Sequence, residues 1–187
     1  MNRTPKSKQR SLRLFGIAAG AVLLVTPQLR AQASSCATVH SASLKMEATP
    51  YHMYFVDSAK AVEAENGGKP KTGEAISVGG AMYLLSHGKW VKSPLSLADM
   101  NAERDKHDWT KDTCTHLRDE SVSGEAASVW RAHVVTEMSA VETDMWISKS
   151  RGLVLKANSA VDVGGGQKNH TSARYDYTNV RAPAGVR

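Results

Sequence analysis

Sequence patterns that mark enzymes are scarce in this 187-residue chain. It has seven histidines, but no two of them have the H-x-H or H-E-x-x-H spacing of a zinc site. No G-x-S-x-G nucleophile elbow is present, and residues 121–125, which loosely resemble one, are predicted to form a turn between strands. The glycines at 164–166 precede polar strand residues rather than a helix, so they predict a hairpin turn and not a phosphate-binding loop. We therefore assign no catalytic residue, metal ligand or cofactor, and we expect no enzyme.

Long apolar runs are also scarce, because the chain has a single one, from Leu14 to Val25. A helix needs about 20 apolar residues to span a bilayer, so this run is too short to span one comfortably. Basic residues precede it and the triplet Ala31-Gln-Ala33 follows it, which is the pattern of a cleavable secretory signal peptide. We predict a signal peptide at 1–33 and a single domain at 34–187. An uncleaved membrane anchor is the alternative.

The excess of positive charge belongs to the predicted signal peptide. The chain has 24 Lys and Arg against 18 Asp and Glu, and six of the bases lie in 1–33, which contains no acid. Without that segment the two signs balance at 18 each, so the chain lacks the basic background that nucleic-acid binding requires. We predict a periplasmic or secreted protein that binds no nucleic acid and contacts membranes only transiently, if at all.

Only two cysteines are present, Cys36 and Cys114. In an oxidising compartment, two cysteines indicate one disulfide. Such a bond closes a long loop in the unfolded chain, and the entropy lost there corresponds to about 4 kcal/mol of stability. The alternative is a lipid-modified Cys36 at a processed N-terminus, although the preceding residues 33–35 and the intervening Arg30 depart from the usual lipoprotein pattern.

Two helices are predicted. Apolar residues at three- and four-residue spacing predict the first over 35–48, just before Pro50. Ser96 and Asp99 have the spacing of a capping box and predict the start of a second, strongly charged helix over 97–108. Both helices have narrow apolar stripes, so we expect each to lie across a sheet.

Alternating apolar and polar residues predict strands through most of the remaining chain. The predicted ranges are 51–56, 74–78, 81–85, 89–92, 128–135, 141–148, 153–158 and 171–180. Short turns between the later strands favour an antiparallel meander. A twisted sheet gives the two helices a surface on which to bury their apolar stripes, so we expect an α+β protein.

Three segments resemble the LolA-like superfamily, which includes periplasmic lipoprotein carriers and lipid-binding lipoproteins. Met145-Trp-Ile-Ser-Lys-Ser-Arg-Gly-Leu-Val-Leu-Lys156 is similar to the family's strand-turn-strand motif W-I-D-x-x-T-G-L-P-L-K, with Val154 in place of the proline. Residues 174–183 resemble the family's last strand ahead of a proline, and residues 80–90 carry a weaker likeness. The resemblance implies a curved antiparallel sheet, or half-barrel, with two helices packed on its concave face.

A cleft between such a sheet and its helices is where a hydrophobic ligand would bind. Alternation on the predicted strands favours six residues as its lining: Met53, Phe55, Trp130, Met145, Leu155 and Tyr175. We expect a non-enzymatic exported protein that binds a lipid or other hydrophobic ligand there. The alternative is an envelope structural or interaction protein with a protein partner and no small-molecule ligand. A hydrolase or metalloenzyme would require His52, His116 and His133 to converge with an acid.

Overall fold

The computed structural model describes residues 31–57, 72–135, 139–162 and 168–186. The predicted signal peptide, except for its last three residues, and the predicted turn at 164–166 lie outside these ranges. The described helices are α1 (Ala31–Ala48), α2 (Leu97–Arg104) and a short 3-10 helix (Trp109–Lys111). The described strands are β1 (Tyr51–Asp57), β2 (Gly73–Val78), β3 (Ala81–Ser86), β4 (Lys89–Lys92), β5 (Thr113–Val122), β6 (Glu125–Val135), β7 (Ala140–Ser148), β8 (Val154–Asp162) and β9 (Lys168–Asp176).

Two predicted elements end earlier than expected, each at a local hydrogen bond. The second helix was expected to reach 108, but His107 N donates to Arg104 O at 2.9 Å and closes a turn. The last strand was expected to reach 180, but it ends at Asp176, whose side chain accepts from Thr178 N at 2.8 Å. Aspartate bonds of this kind favour a turn over a continued strand.

The nine described strands form one antiparallel sheet in the order β4-β3-β2-β1-β9-β8-β7-β6-β5. The predicted meander is therefore two meanders, β1–β4 and β5–β9, which join where β1 pairs with β9. The sheet is curved and unclosed, because its two ends, β4 and β5, do not pair with each other. Together with the two helices, this arrangement confirms the predicted α+β half-barrel.

α1 lies across β5–β8 and covers the main core. Cys36, Val39 and Ala42 recur on one side of the helix and are at most 5% exposed. They belong to one buried cluster with Ile147 of β7. The disulfide between Cys36 and Cys114 joins α1 to β5 and confirms the predicted pairing. The helix is thus held on the sheet by both apolar burial and a covalent bond.

α2 begins at the predicted capping box. Ser96 Oγ accepts from Asp99 N at 3.1 Å, and Asp99 Oδ2 accepts from Ser96 N at 3.0 Å. The helix then bridges two parts of the fold. Leu97 N donates to a carbonyl of the β2–β3 turn at 3.4 Å, and Arg104 forms an ion pair with Glu47 of α1. No helix within the described ranges is long and apolar enough to cross a bilayer.

The sheet face opposite α1 has a smaller core, made of Ala127, Val129, Trp146 and Leu155. A bulge in β8 explains why Leu155 belongs to it. Trp146 is paired with Lys156. The next residue, Ile147, is paired with Val154. Leu155 therefore has no directly opposed residue on β7, and the side-chain alternation of β8 shifts at this position.

Candidate ligand-binding face

The sheet face on which α1 packs, here called the helix face, includes five of the six predicted ligand residues. Three of them pack against the core under α1: Trp130, Met145 and Tyr175. Met53 of β1 lies directly opposite Tyr175 of β9, and Phe55 lies opposite Ala173. Directly opposed residues of antiparallel strands share a face, so Met53 and Phe55 also lie on the helix face.

Leu155, the sixth predicted residue, lies on the other face. It is 6% exposed and packs with Val129 and Trp146. The prediction assumed unbroken alternation through 153–158, whereas the bulge in β8 shifts the pattern by one residue. Leu155 is therefore a core residue of the opposite face and does not line the predicted cleft.

One line of side chains, here called the apolar row, crosses the helix face from β9 to β4. It follows the pairings Tyr175–Met53, Met53–Ala75, Ala75–Leu84 and Leu84–Val91. Ala75 is 0% exposed, whereas Leu84 is 36% and Val91 46% exposed. Because α1 packs on β5–β8, the row leads from the helix-covered core to an open apolar surface on β3 and β4.

Phe55 forms a wall beside the apolar row. A Cβ atom at Gly73 would overlap the Phe55 ring, so the ring occupies the space directly over the backbone of β2. Gly73 is buried as a result. Glycine is the residue that permits such a close approach of a side chain to a neighbouring strand.

Two tyrosines, Tyr51 and Tyr175, lie at the inner end of the apolar row, and their phenol groups are uncharged. Tyr51 is 5% exposed and packs edge-on against Tyr175, with ring centroids 5.5 Å apart. Burial raises the pKa of Tyr175 to about 12. Burial also raises the pKa of Tyr51, in spite of a hydrogen bond with Ser77 that lowers it. Both phenols are therefore neutral at physiological pH, which suits contact with an apolar chain.

A buried polar cluster ties α1 to the segment before β5. The Asp112 side chain is 1% exposed; His107 Nε2 lies 2.8 Å from one of its oxygens, and His40 Nε2 of α1 lies 3.5 Å from the other. Trp109 packs edge-on against both imidazoles, with centroid distances of 4.3 Å to His40 and 4.9 Å to His107. The cluster adjoins the disulfide at Cys114, so it helps to hold α1 in place over the core.

The three histidines that a metalloenzyme would require do not converge. His52 Nε2 on β1 lies 3.0 Å from Glu74 Oε2, and four strands separate β1 from β5, which carries His116. His116 packs against Trp130, whereas His133 lies on the opposite face of β6. No group of three His, Cys, Asp or Glu side chains in the described part of the chain could hold a metal ion.

Leu84 and Val91 lie on the helix face, but the sequence pattern does not identify them as candidate ligand residues. Alternation in β3 places Met82 and Leu84 on one face, but it does not identify which face is covered by the helices. That assignment needs the register between β1 and β2, and then the registers between β2 and β3 and between β3 and β4. These registers depend on tertiary pairing, and no local signal in the sequence carries them.

Neither a protein-family model nor a curated protein sequence matches the chain. Solved structures do match. The lipoprotein LppX of Mycobacterium tuberculosis superposes with a TM-score of 0.50 at 10% identity, covering 81% of this chain and 99% of LppX. LprF from Mycobacterium bovis gives 0.46 at 10% identity, covering 81% of this chain and 96% of LprF. MucB gives 0.47 at 15% identity, covering 80% of this chain and 61% of MucB.

The match to LppX extends over nearly the whole of that protein and concerns the fold. It agrees with the open nine-stranded sheet and its two helices within the described ranges. The chain thus has a half-barrel fold similar to that of LppX, which agrees with the half-barrel that the resemblance in the sequence implied.

Proposed function

We propose that the chain is an exported, non-enzymatic protein that binds the apolar part of a lipid or other amphiphile on its helix face. The apolar row is the observation that carries this proposal. It joins the partly buried Tyr175 and Met53 to Leu84 and Val91, which are 36% and 46% exposed although they face the same side as the helices. An exposed apolar patch of this kind on the helix face is typical of a ligand or partner site.

The physical basis of binding is apolar burial. Each Å² of apolar surface that a ligand and the row remove from water contributes about 25 cal/mol. Met53 and Met145 are suited to such a site, because their flexible side chains adapt to chains of different shape. The neutral phenol of Tyr175 adds a large apolar contact area at the inner end of the row.

Mass spectrometry of the native protein after export tests three parts of the proposal together. We expect a mass that begins at residue 34, a loss of two protons for the disulfide, and an additional mass from a retained lipid. Titration with a fluorescent long-chain fatty acid is expected to show saturable binding. A full-length mass would reject the signal peptide, and absence of both retained lipid and saturable uptake would reject the ligand.

Two valines provide a matched pair for locating the ligand. Val91 is 46% exposed on the helix face, and Val135 is 44% exposed on the opposite face of β6. Val91→Asn is expected to weaken fatty-acid binding about tenfold, because a lost apolar contact of this size corresponds to roughly 1.5 kcal/mol. Val135→Asn is expected to leave binding unchanged. Equal effects of the two substitutions would place the ligand elsewhere.

A protein partner instead of a small ligand is the second candidate, and Phe55 is the observation that favours it. Because its ring already occupies the space over Gly73, part of the helix face is filled and offers a surface more than a cavity. An envelope protein that covers Leu84 and Val91 would then replace the lipid. Crosslinking from position 91 in the cell envelope separates the two: a lipid adduct supports the first candidate, and a discrete protein adduct the second.

A further inference from the structure

A cavity lies on the face opposite the helices, and Tyr175 is the one residue of the apolar row that also lines it. Its volume is about 460 Å³, and it opens between the β5–β6 turn, the β7–β8 turn and the strands β1 and β9. Its lining residues are Tyr54, Val122, Ser123, Glu125, Arg151, Leu155, Arg174, Tyr175 and Asp176. This size is within the range of small-molecule sites, and the lining combines an apolar floor with charged groups.

Arg174 is the charged group in this cavity that has the fewest partners. One of its nitrogens donates to Ser123 Oγ at 3.3 Å. Among the described residues, no carboxylate lies within ion-pair distance of its guanidinium. A guanidinium has five N–H donors, so most of its donor capacity is available to a ligand.

The neighbouring strand increases the positive potential at this position. Lys156 of β8 is directly opposite Arg174 of β9, and like charges in such a pair repel each other. The Lys156 ammonium lies 4.2 Å from the centre of the Trp146 ring, which holds it on the same sheet face. The Lys156 charge interacts with the Glu120 carboxylate, whereas no such partner compensates Arg174 among the described residues.

The two carboxylates that line the cavity are already occupied. Glu125 accepts from Arg151 Nε at 2.9 Å and from Nη2 at 2.5 Å, and it also binds the Ser148 hydroxyl. Asp176 accepts from Thr178 N at 2.8 Å. The Arg151–Glu125 pair is neutral as a unit, and the Asp176 carboxylate, which keeps its negative charge, interacts with Arg151. Arg174 is therefore the cation in the cavity whose donors are not taken by a carboxylate.

Ser123 lines the cavity and has a backbone conformation that serine rarely adopts. It lies at the apex of the β5–β6 hairpin with φ of 51°, followed by Gly124 with φ of 85°. Two such positive values are typical of a tight hairpin turn, where Asn-Gly or Gly-Gly is the usual choice. A serine here keeps a hydroxyl beside Arg174, and that hydroxyl is a second donor for an anion.

We propose that this cavity binds a small organic anion, a phosphate ester or carboxylate that carries a short apolar group. Arg174 holds the anionic oxygens, with the Ser123 hydroxyl as a further donor. The apolar group lies over Val122 and Leu155, which form the cavity floor. The anionic group belongs either to a free small molecule or to a lipid headgroup, and both sources present the same oxygens to Arg174.

The test is an NMR titration of the disulfide-bonded protein with hexyl phosphate. Amide shifts are expected to move at 122–125, 151–155 and 174–176, and n-hexanol, which lacks the charge, is expected not to move them. Arg174→Gln is expected to raise the Kd about tenfold, since a charge-assisted bidentate contact is lost. Arg174→Lys keeps the charge without the planar fork and should bind with intermediate strength.

Arg131→Gln is the matched control. It removes one positive charge from the same sheet face, but Arg131 is already paired with Asp144 at 2.7 Å, so its loss should leave the Kd within twofold. Equal weakening by both variants, or shifts that survive Arg174→Gln, would overturn the proposal.

Binding to vesicles of phosphatidylglycerol, compared with vesicles of phosphatidylcholine, distinguishes the two sources of the anion. Arg174-dependent binding to the anionic vesicles identifies a lipid headgroup, and binding of hexyl phosphate alone identifies a free molecule. Fatty-acid uptake on the helix face should be unaffected in every variant, so the two proposals fail independently.

Discussion

The central strands β6–β8 and the strands β3 and β4 at one end belong to the same sheet, but they bury their apolar side chains to different extents. On β6 and β7, Val129 and Ile147 are 0% and 3% exposed; Ile147 lies under α1 on the helix face, and Val129 lies in the smaller core of the opposite face. On β3 and β4, Leu84 and Val91 are 36% and 46% exposed. The first group of strands contributes to stability, and the second retains apolar surface that a ligand can cover. Stability and binding should therefore respond to different substitutions.

Removal of the disulfide is expected to cause the largest loss of stability. In the double variant Cys36→Ala with Cys114→Ala, the bond across a sequence separation of 78 residues is lost. We expect the free energy of unfolding to fall by about 4 kcal/mol, measured by urea denaturation. Hydrogen exchange should increase over α1 and β5 first. A loss below about 1 kcal/mol would mean that apolar packing and the Asp112 cluster hold α1 without the bond.

Truncation of one valine in each region is expected to have the next largest effect on stability and to differ between the two regions. Val129→Ala removes two buried carbon atoms and leaves a cavity, so it should cost about 2 kcal/mol of unfolding free energy. Val91→Ala, at a site that is 46% exposed, should cost less than about 0.5 kcal/mol. Thermal and urea unfolding measure both. The contrast fails if Val91→Ala destabilises as strongly as Val129→Ala, because β4 would then belong to the closed core.

The same contrast explains how far the sequence predicts the fold. Period-two alternation is a local property of the backbone, and it predicts most strands of the sheet. The sequence predicts no bounds for strand β5, because it is an edge strand in which Cys114 is buried but residues 115–121 are all exposed. Without burial on one face, no alternation arises.

Features that depend on residues far apart in the sequence account for the remaining differences between the predicted and the observed fold. The pairing of β1 with β9 joins residues more than a hundred positions apart, as in Met53 with Tyr175, and no local pattern encodes it. The bulge at Leu155 interrupts alternation without a proline or glycine to mark it. By contrast, the bond between Cys36 and Cys114 and the capping box at Ser96 follow from residue chemistry, and both are confirmed.

A third and smaller effect is expected from Glu125, which links two turns of the β5–β9 region. The Arg151 guanidinium, followed by the Ser148 hydroxyl, lowers the pKa of Glu125 from 4.5 to about 2. A carboxyl with a lowered folded-state pKa stabilises the fold above its unfolded value of 4.5, and this contribution disappears as the pH falls towards 2. Because the pair is partly exposed, we expect Glu125→Gln to cost at most about 1 kcal/mol at pH 7.

The pH dependence identifies the origin of that loss. The difference in unfolding free energy between the natural chain and Glu125→Gln should shrink between pH 4.5 and 2. Urea unfolding at pH 7 and pH 3 measures it. Glu142→Gln removes the same charge from the neighbouring strand β7, where the closest cation is 3.7 Å away, and serves as the control. A difference that is independent of pH would assign the loss to packing at position 125 and not to the ion pair.

The smallest expected effect concerns α2, which bridges the open strands and the end of α1. Ser96→Ala removes the hydroxyl that accepts from Asp99 N at 3.1 Å, and such caps contribute roughly 0.5–1 kcal/mol. Because α2 is short and mostly held at its ends, the loss should be local: faster amide exchange at 97–100, with little change in global unfolding. Ser96→Asn keeps a side-chain acceptor and should preserve most of the protection. If exchange instead rises equally in β5–β9, α2 belongs to the same cooperative unit as the sealed core, and the division between a stable and a binding region does not hold.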